Sequence, residues 1–269
     1  MPLEPGTRLD VPSPPVQYPP MAAEVASLLV AIPTYNERAN IEGLLTSLFE
    51  LYPSAHVVVI DDASPDRTGE LVAARAKEDS RIHLIRRDRK SGIGSAYRAA
   101  FAWALEQGFS LVVSMDADWS HDPRDISRLL QAVESADVVV GSRYVPGGRT
   151  ENWPRSRLVL SRGANALARL LVGRHLSDWT SGFKCYRTSM LKVLPFGSGG
   201  IDSEGYAFQV DILYHCHRAG FRISEVPIVF SDRREGRTKM SRVEVYRGVL
   251  TLFRIASGRL VGRNARSIR

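Results

Sequence analysis

The sequence predicts an α/β fold with a mostly parallel central sheet, and three observations carry that expectation. Short apolar runs recur roughly every 25 to 30 residues, at Leu28–Ile32, His56–Ile60, Ile82–Ile85, Leu111–Met115 and Val138–Val140; runs of this kind read as strands buried on both faces. The stretches between them carry apolar residues at helical spacing. Polar clusters follow four of the runs, at the carboxyl ends where open α/β sheets bind ligands.

Residues 1–24 form the first segment. Seven prolines within the first twenty residues, Pro2, Pro5, Pro12, Pro14, Pro15, Pro19 and Pro20, exclude helix and central strand and predict a flexible or polyproline-like leader. A single folded domain is expected over 25–241. After its first strand, Ile41, Leu44, Leu45, Leu48 and Leu51 make one apolar helical face. Similar helices are expected over Thr68–Lys77, Ser95–Gln107 and Pro123–Glu134. The last begins with Asp122-Pro123, an N-cap followed by the proline favoured in a first turn. Strands joined by such helices imply right-handed crossovers. Beyond Gly141 the pattern loosens into a loop at Pro146-Gly147-Gly148, helices around Ser161–Leu171 and Ala207–Arg218, and one strand over Arg222–Phe230. Residues 242–269 are expected to form a basic amphipathic helix and tail.

Composition sets limits. With 269 residues and 44% hydrophobic content the chain can bury a full core. No apolar run reaches the roughly 18 to 20 residues of a membrane span, and the first twenty residues lack the pattern of a signal peptide, so a cytoplasmic location is expected. Cys185 and Cys216 are too few for a disulfide framework and lack zinc-site spacing; both are expected as reduced thiols. The formal net charge is +7, and Arg242 to Arg269 concentrates seven arginines against one glutamate, a segment suited to nucleic acid, an anionic membrane surface or phosphorylated ligands.

The chemistry lies in four clusters: Pro33-Thr34-Tyr35-Asn36-Glu37, Asp61-Asp62-Ala63-Ser64-Pro65-Asp66, Asp116-Ala117-Asp118 and Gly141-Ser142-Arg143-Tyr144. No glycine-rich dinucleotide turn follows the first strand and there is no P-loop. The paired carboxylates of Asp116 and Asp118 suit a divalent cation held against a nucleotide diphosphate. Arg143, after the fifth strand, offers a planar fork for phosphate oxygens.

Taken together and in order, Ile-Pro-Thr-Tyr-Asn-Glu-Arg, Asp-Asp-Ala-Ser-Pro-Asp-Arg-Thr, Asp-Ala-Asp and Gly-Ser-Arg-Tyr resemble the inverting GT-A glycosyltransferases of the polyprenyl (dolichyl) phosphate mannose synthase type, over Leu28 to about Ser241. The resemblance implies a Rossmann-like GT-A fold of three layers. It implies transfer of mannose from GDP-mannose to a polyprenyl monophosphate, with Mg²⁺ or Mn²⁺, at the cytoplasmic face of a membrane. The β-mannosyl phosphoryl polyprenol so formed would serve as a lipid-linked sugar donor. It places Pro33, Tyr35 and Glu37 around the nucleoside, Ile60 and Asp62 at the base, and Asp116, Ala117 and Asp118 at the ribose and diphosphate. Asp118 is then the direct metal ligand, with Asp116 acting on the metal through water or on the ribose, and Ser120, the third metal position, stands where some members carry glutamine. Arg143, Arg157 and Ser161 are assigned to the acceptor phosphate, and Arg143 also to the nucleotide sugar. Arg233 and Lys239, in the basic stretch Asp232–Ser241, would close over the diphosphate, with Arg234 and Arg237 as neighbours. The stretch Asp178-Trp179-Thr180-Ser181-Gly182-Phe183-Lys184 matches a further signature that shapes the sugar pocket or forms a structural turn.

A phosphate monoester is already anionic, so such an acceptor needs no general base. A sister enzyme using UDP-glucose on the same kind of lipid is the alternative. A nucleic-acid-binding protein using the arginine-rich tail leaves the four clusters unexplained and lacks interleaved aromatic platforms; no nucleic-acid partner is expected. In the last segment Val243, Tyr246, Val249, Leu250, Phe253 and Leu260 recur at helical spacing among arginines. Its first half is expected to pack on the core, with membrane adsorption or a separate membrane-anchoring protein bringing the enzyme to its lipid. The histidines, including His121, His215 and His217, form no expected ligand set.

Overall fold

The computed structural model describes residues 27–197, 200–205, 207–232, 248–255 and 257. The expected leader, Arg233, Arg234, Arg237, Lys239 and most of the segment 242–269 lie outside the described residues.

Strand β1 (Leu28–Thr34) pairs in parallel with β2 (His56–Asp61) on one side and β4 (Leu111–Ser114) on the other; β3 (Ile82–Arg86) extends the sheet beyond β2. The intervening helices α1 (Arg38–Leu51), α2 (Thr68–Glu78) and α3 (Ile93–Glu106) supply the crossovers expected from the sequence. A 3-10 turn, Pro123–Asp125, leads into α4 (Ile126–Val133), and Asp122 caps it by accepting from the Arg124 amide at 2.9 Å. Strand β5 (Val138–Ser142) follows.

The sheet then departs from simple alternation. Its order is β3-β2-β1-β4-β7-β5-β8, and β7 (Lys184–Arg187) runs antiparallel between β4 and β5. The expected single strand over Arg222–Phe230 is two: β8 (Ile223–Pro227) closes the main sheet, while β9 (Val229–Ser231) pairs with β6 (Arg149–Glu151) in a separate ribbon. Pro227, lacking an amide hydrogen, sits where the ladder ends. Helix α5 (Arg155–Leu171) starts six residues before the expected Ser161, directly after Pro154. A short α6 (Thr188–Leu191) and α7 (Ala207–Arg218) complete the second half.

Alternate residues of each strand face opposite layers. Leu29, Ala31, Val58, Ile60 and Val112 join α3, α5 and α7 in one core; Val30, Ile32, Val57, Val59 and Val113 join α1, α2 and α4 in the other. Leu252 and Ile255, in a helical segment over 248–255, are buried in the first core, whereas Leu250 and Phe253 are exposed. Both cysteines are free and buried. No helix among the described residues is long and apolar enough to cross a membrane.

Asp125, at the foot of α4, is 2% exposed, and burial pushes its carboxyl up to about 7, against the opposing pull of Arg128 at 3.6 Å. A raised folded-state value means that the native protein holds a proton which the unfolded chain has already released. Stability from this group is therefore complete below about pH 4 and is lost as pH rises toward 7. Replacing Asp125 by asparagine, which stays neutral, is expected to lift the melting temperature relative to the parent progressively from about pH 5 to about pH 8. Scanning fluorimetry across that range checks this; a constant difference would contradict it.

Candidate active site

The carboxyl ends of β1, β2, β4 and β5 open onto one edge of the sheet, and a cleft of about 640 Å³ lies there. Pro33 lines it from the end of β1, Tyr35 and Glu37 from the loop that follows, Asp62 from just after β2, Asp116, Ala117 and Asp118 from the loop after β4, Arg143 from just after β5, and Arg157 and Ser161 from α5. Thus ten of the residues expected from sequence share one cavity. Ile60 does not line it; its side chain is fully buried in the layer below. Ser120, 2% exposed, also stays off the lining.

The loop after β4 is tightly wound. Trp119 adopts φ of +64°, a left-handed conformation that costs a bulky residue about 1–2 kcal/mol. Two contacts hold it: the Ser120 amide donates to Asp118 Oδ1 at 3.1 Å, and the Trp119 ring passes Gly43 of α1, where a Cβ would stand 3.4 Å from Cζ2. Backbone strain of this kind gathers at functional loops. Here it sets Asp116 and Asp118 on the cleft.

His121 lies beneath the pair. The Asp116 amide donates to His121 Nδ1 at 3.1 Å, which puts the neutral ring's proton on Nε2, an atom buried without a hydrogen-bond partner among the described residues. The ring stacks on Phe183 at 4.8 Å. Burial drives its pKa down to about 3, against the pull of Asp118. A ring protonated on Nε2 is a donor and not a metal ligand. The carboxylates that could hold a cation here are those of Asp116 and Asp118, a donor chemistry suited to a hard divalent ion that keeps substrate oxygens and water as its other ligands. No third His, Cys, Asp or Glu joins them among the described residues.

Asp62 organises the rim opposite. It pairs with Arg87 and accepts from the amides of Ser91 at 3.0 Å and Gly92 at 3.3 Å, fixing the loop that carries Lys90. The Lys90 ammonium lies 4.2 Å from the Tyr35 ring centroid. Glu37, 7% exposed, accepts from Asn40 Nδ2 at 2.9 Å.

Arg143 is 7% exposed, and two of its fork nitrogens meet both carboxylate oxygens of Asp178 at 2.7 Å; Nη2 also donates to Thr180 Oγ1 at 2.7 Å. Burial pushes the Asp178 carboxyl up, but the Arg143 guanidinium and the hydrogen bonds Asp178 receives outweigh it and hold it below its ordinary value. Asn165 of α5 bridges to the same loop, donating to Thr180 at 3.0 Å and accepting from the Trp179 amide at 2.8 Å. On α5, Arg157 donates to Asp232 at 2.7 Å and lies 4.1 Å from the Trp153 ring centroid, and Tyr144 and Ser161 share a 2.7 Å hydroxyl contact. Lys184, fully buried on β7, donates to the Ser181 carbonyl and to Gln209 Oε1; burial lowers its pKa to about 7.

Lys90, Thr180 and Gln209 line the cleft and were not singled out from the sequence as individual site residues. A signal for Gln209 existed, since it interrupts the apolar run Ala207-Phe208-Gln209-Val210. None existed for Lys90, one of several cations in an exposed-looking loop.

Glycosyl transferase family 2 matches residues 29–194. The chain is 44% identical over 237 residues to the polyprenol monophosphomannose synthase of Mycolicibacterium smegmatis, covering 87% of this chain and 88% of that protein. It is 44% identical over 227 residues to the undecaprenyl-phosphate mannosyltransferase of Micrococcus luteus, covering 84% and 93%. Among solved structures, glucosyl-3-phosphoglycerate synthase from Mycobacterium tuberculosis, in complex with Mn²⁺, UDP and glucosyl-3-phosphoglycerate, aligns over 86% of this chain and 80% of that one with a TM-score of 0.63 and 20% identity. The three-layer fold with its mostly parallel seven-stranded sheet is the GT-A fold. With the family model spanning 29–194 and two relatives at 44% identity over most of their length, the chain belongs to glycosyl transferase family 2 and is a glycosyltransferase.

Proposed function

We propose that the enzyme transfers mannose from GDP-mannose to a polyprenyl monophosphate with inversion, giving a β-mannosyl phosphoryl polyprenol that later enzymes use as a sugar donor. The names of the two relatives at 44% identity support this reading. One structural observation carries it further. The lining of the cleft combines the carboxylates of Asp116 and Asp118 with the cations Arg143 and Arg157, Ser161 and an apolar wall of Val159, Leu160, Leu167, Val249 and Leu252. A sugar-hydroxyl acceptor would have no use for that wall. A phosphate joined to a hydrocarbon chain needs both.

Asp116 and Asp118 would hold Mg²⁺ or Mn²⁺, which when bound neutralises the leaving diphosphate. Tyr35, Glu37 and Asp62 would surround the nucleoside, with Ile60 beneath and Ser120 supporting the metal loop. Arg157 and Ser161, helped by Arg143, would orient the acceptor phosphate for in-line attack on the anomeric carbon. Asp232 at 2.7 Å is the group that a phosphate would displace from Arg157. Arg233 and Lys239 would cover the diphosphate and exclude water.

The exposed face of α5 suits a membrane. Arg155, Arg162 and Arg169 alternate there with the exposed Val159, Leu160 and Leu170, a pattern fit for the headgroup region of an anionic bilayer. We place the enzyme on the cytoplasmic face of a membrane, peripherally, with a separate anchoring protein as its expected partner.

The test is incubation of purified enzyme with labelled GDP-mannose, Mg²⁺ or Mn²⁺ and a polyprenyl phosphate, with the product's anomeric configuration read by NMR. A β-mannosyl phosphate is expected. An α product would overturn inversion, and turnover with UDP-glucose alone would overturn the donor.

A further inference from the structure

Lys184 is an odd residue to find in the middle of a sheet. It stands on β7 between Phe183 and Cys185, all three fully buried, and its ammonium reaches the Ser181 carbonyl and the side chain of Gln209 on α7. Burying a lysine is costly unless its donors are met. The chemistry of the contact fixes an orientation. An ammonium has donors and no acceptor, so the Gln209 atom that faces Lys184 must be the amide oxygen. The amide nitrogen, with its two hydrogens, is thereby turned the other way.

That other way leads into the cleft. Gln209 Nε2 lies 3.7 Å from the point where a Cβ on Gly182 would stand, and the same point is 3.6 Å from Asp116 Oδ1 and 3.7 Å from His121 Cε1. Gly182, Gln209 and Asp116 all line the cavity, as do Arg143 and Thr180 beside them. The bare glycine therefore leaves a small recess in the cleft, walled by a neutral amide donor and a carboxylate acceptor. A neutral donor set against a carboxylate matches a sugar hydroxyl, which donates and accepts at once.

We propose that Gln209 donates a hydrogen bond from Nε2 to a hydroxyl of the transferred sugar, and that Lys184 is the positioning residue that fixes the amide in that orientation. The inference rests on the sugar-nucleotide reading above and adds the group that grips the sugar itself. Gln209 then discriminates among sugars at that hydroxyl and leaves nucleotide affinity to the loops after β1, β2 and β4.

Titration calorimetry with Mn²⁺ tests it, using GDP, GDP-mannose and UDP-glucose as probes on the parent, Gln209→Met, Gln209→Glu and Lys184→Met. Gln209→Met is expected to bind GDP within about twofold of the parent and GDP-mannose roughly tenfold more weakly, the loss of about one hydrogen bond. Gln209→Glu keeps an oxygen for Lys184 but loses the donor, so the same split is expected. Lys184→Met frees the amide to turn and should reproduce the loss, and the double variant should be no weaker than Gln209→Met alone. Undiminished GDP-mannose affinity in both Gln209 variants would overturn the proposal. So would an equal loss for GDP, which is what a purely structural role predicts. If Lys184→Met fails to fold, the two Gln209 variants decide. A parent enzyme that binds UDP-glucose in place of GDP-mannose would refute the donor reading alone, and the Gln209 comparison is then made on UDP-glucose against UDP. A parent that binds neither would overturn both.

Discussion

Replacing Asp118 by alanine is expected to lower turnover by roughly a thousandfold or more while leaving the fold in place. The side chain is 6% exposed, in the tight turn after β4, and it accepts a hydrogen bond from the Ser120 amide at 3.1 Å. It belongs to neither hydrophobic core. On the proposed function, removing the carboxylate would take away half of a two-carboxylate cation site. Asp118→Asn isolates charge from shape, since its amide oxygen can still accept from Ser120. Steady-state rates with purified protein, read beside the melting temperature, check the pair. A folded Asp118→Ala enzyme with near-normal turnover would remove Asp118 from the metal site, and an unfolded one would make it structural.

The second large effect concerns stability. Asp178→Ala is expected to cost about 3–5 kcal/mol, because it leaves the Arg143 guanidinium in the protein interior without its counter-charge. Asp178 is fully buried and Arg143 is 7% exposed, so water cannot replace the lost partner as it would at the surface. The sign reverses for a matched change. Replacing both members with apolar residues of similar volume, as in Arg143→Met with Asp178→Leu, should recover most of the loss, since no unpaired charge remains. Urea denaturation of the parent, both single variants and the double variant completes the cycle. A small effect of Asp178→Ala would mean that the guanidinium finds water or another acceptor in the cleft.

Much of this architecture is legible in the sequence, and the places where it is not share a cause. Strands β1, β2, β4 and β5 announce themselves because both faces are buried and so are apolar, and the edge strand β3 because Ile82, Leu84 and Ile85 keep a short apolar run although most of it is only half-buried. Strand β7 is hidden by Lys184, a charged residue whose partners, Ser181 and Gln209, come together only after folding. The break between β8 and β9 falls after Pro227, and the apolar residues on either side concealed it. Helix α5 begins early because its first turns face outward; only Asn165 and Ala168 are buried, so the helical period has little apolar signal to carry it. At the site, the ordered motifs at the ends of β1, β2, β4 and β5 marked ten cleft residues. What order along the chain could not disclose was pairing across it. Arg143 reads as a free fork for phosphate, yet Asp178, 35 residues later, meets its Nε and Nη2.

The reversed strand β7 also dictates when the molecule can be finished. Strands β3, β2, β1 and β4 are joined by local crossovers and can assemble as soon as each helix has emerged. The far edge of β4 must then wait, for its partner lies 70 residues on, where Ser114 meets Lys184. Until β7 inserts, a chain still being synthesised exposes an unpaired edge of Leu111, Val112 and Val113, the kind of template that recruits foreign strands. Fragments ending before residue 184 should therefore precipitate, and the half-made enzyme is where aggregation starts.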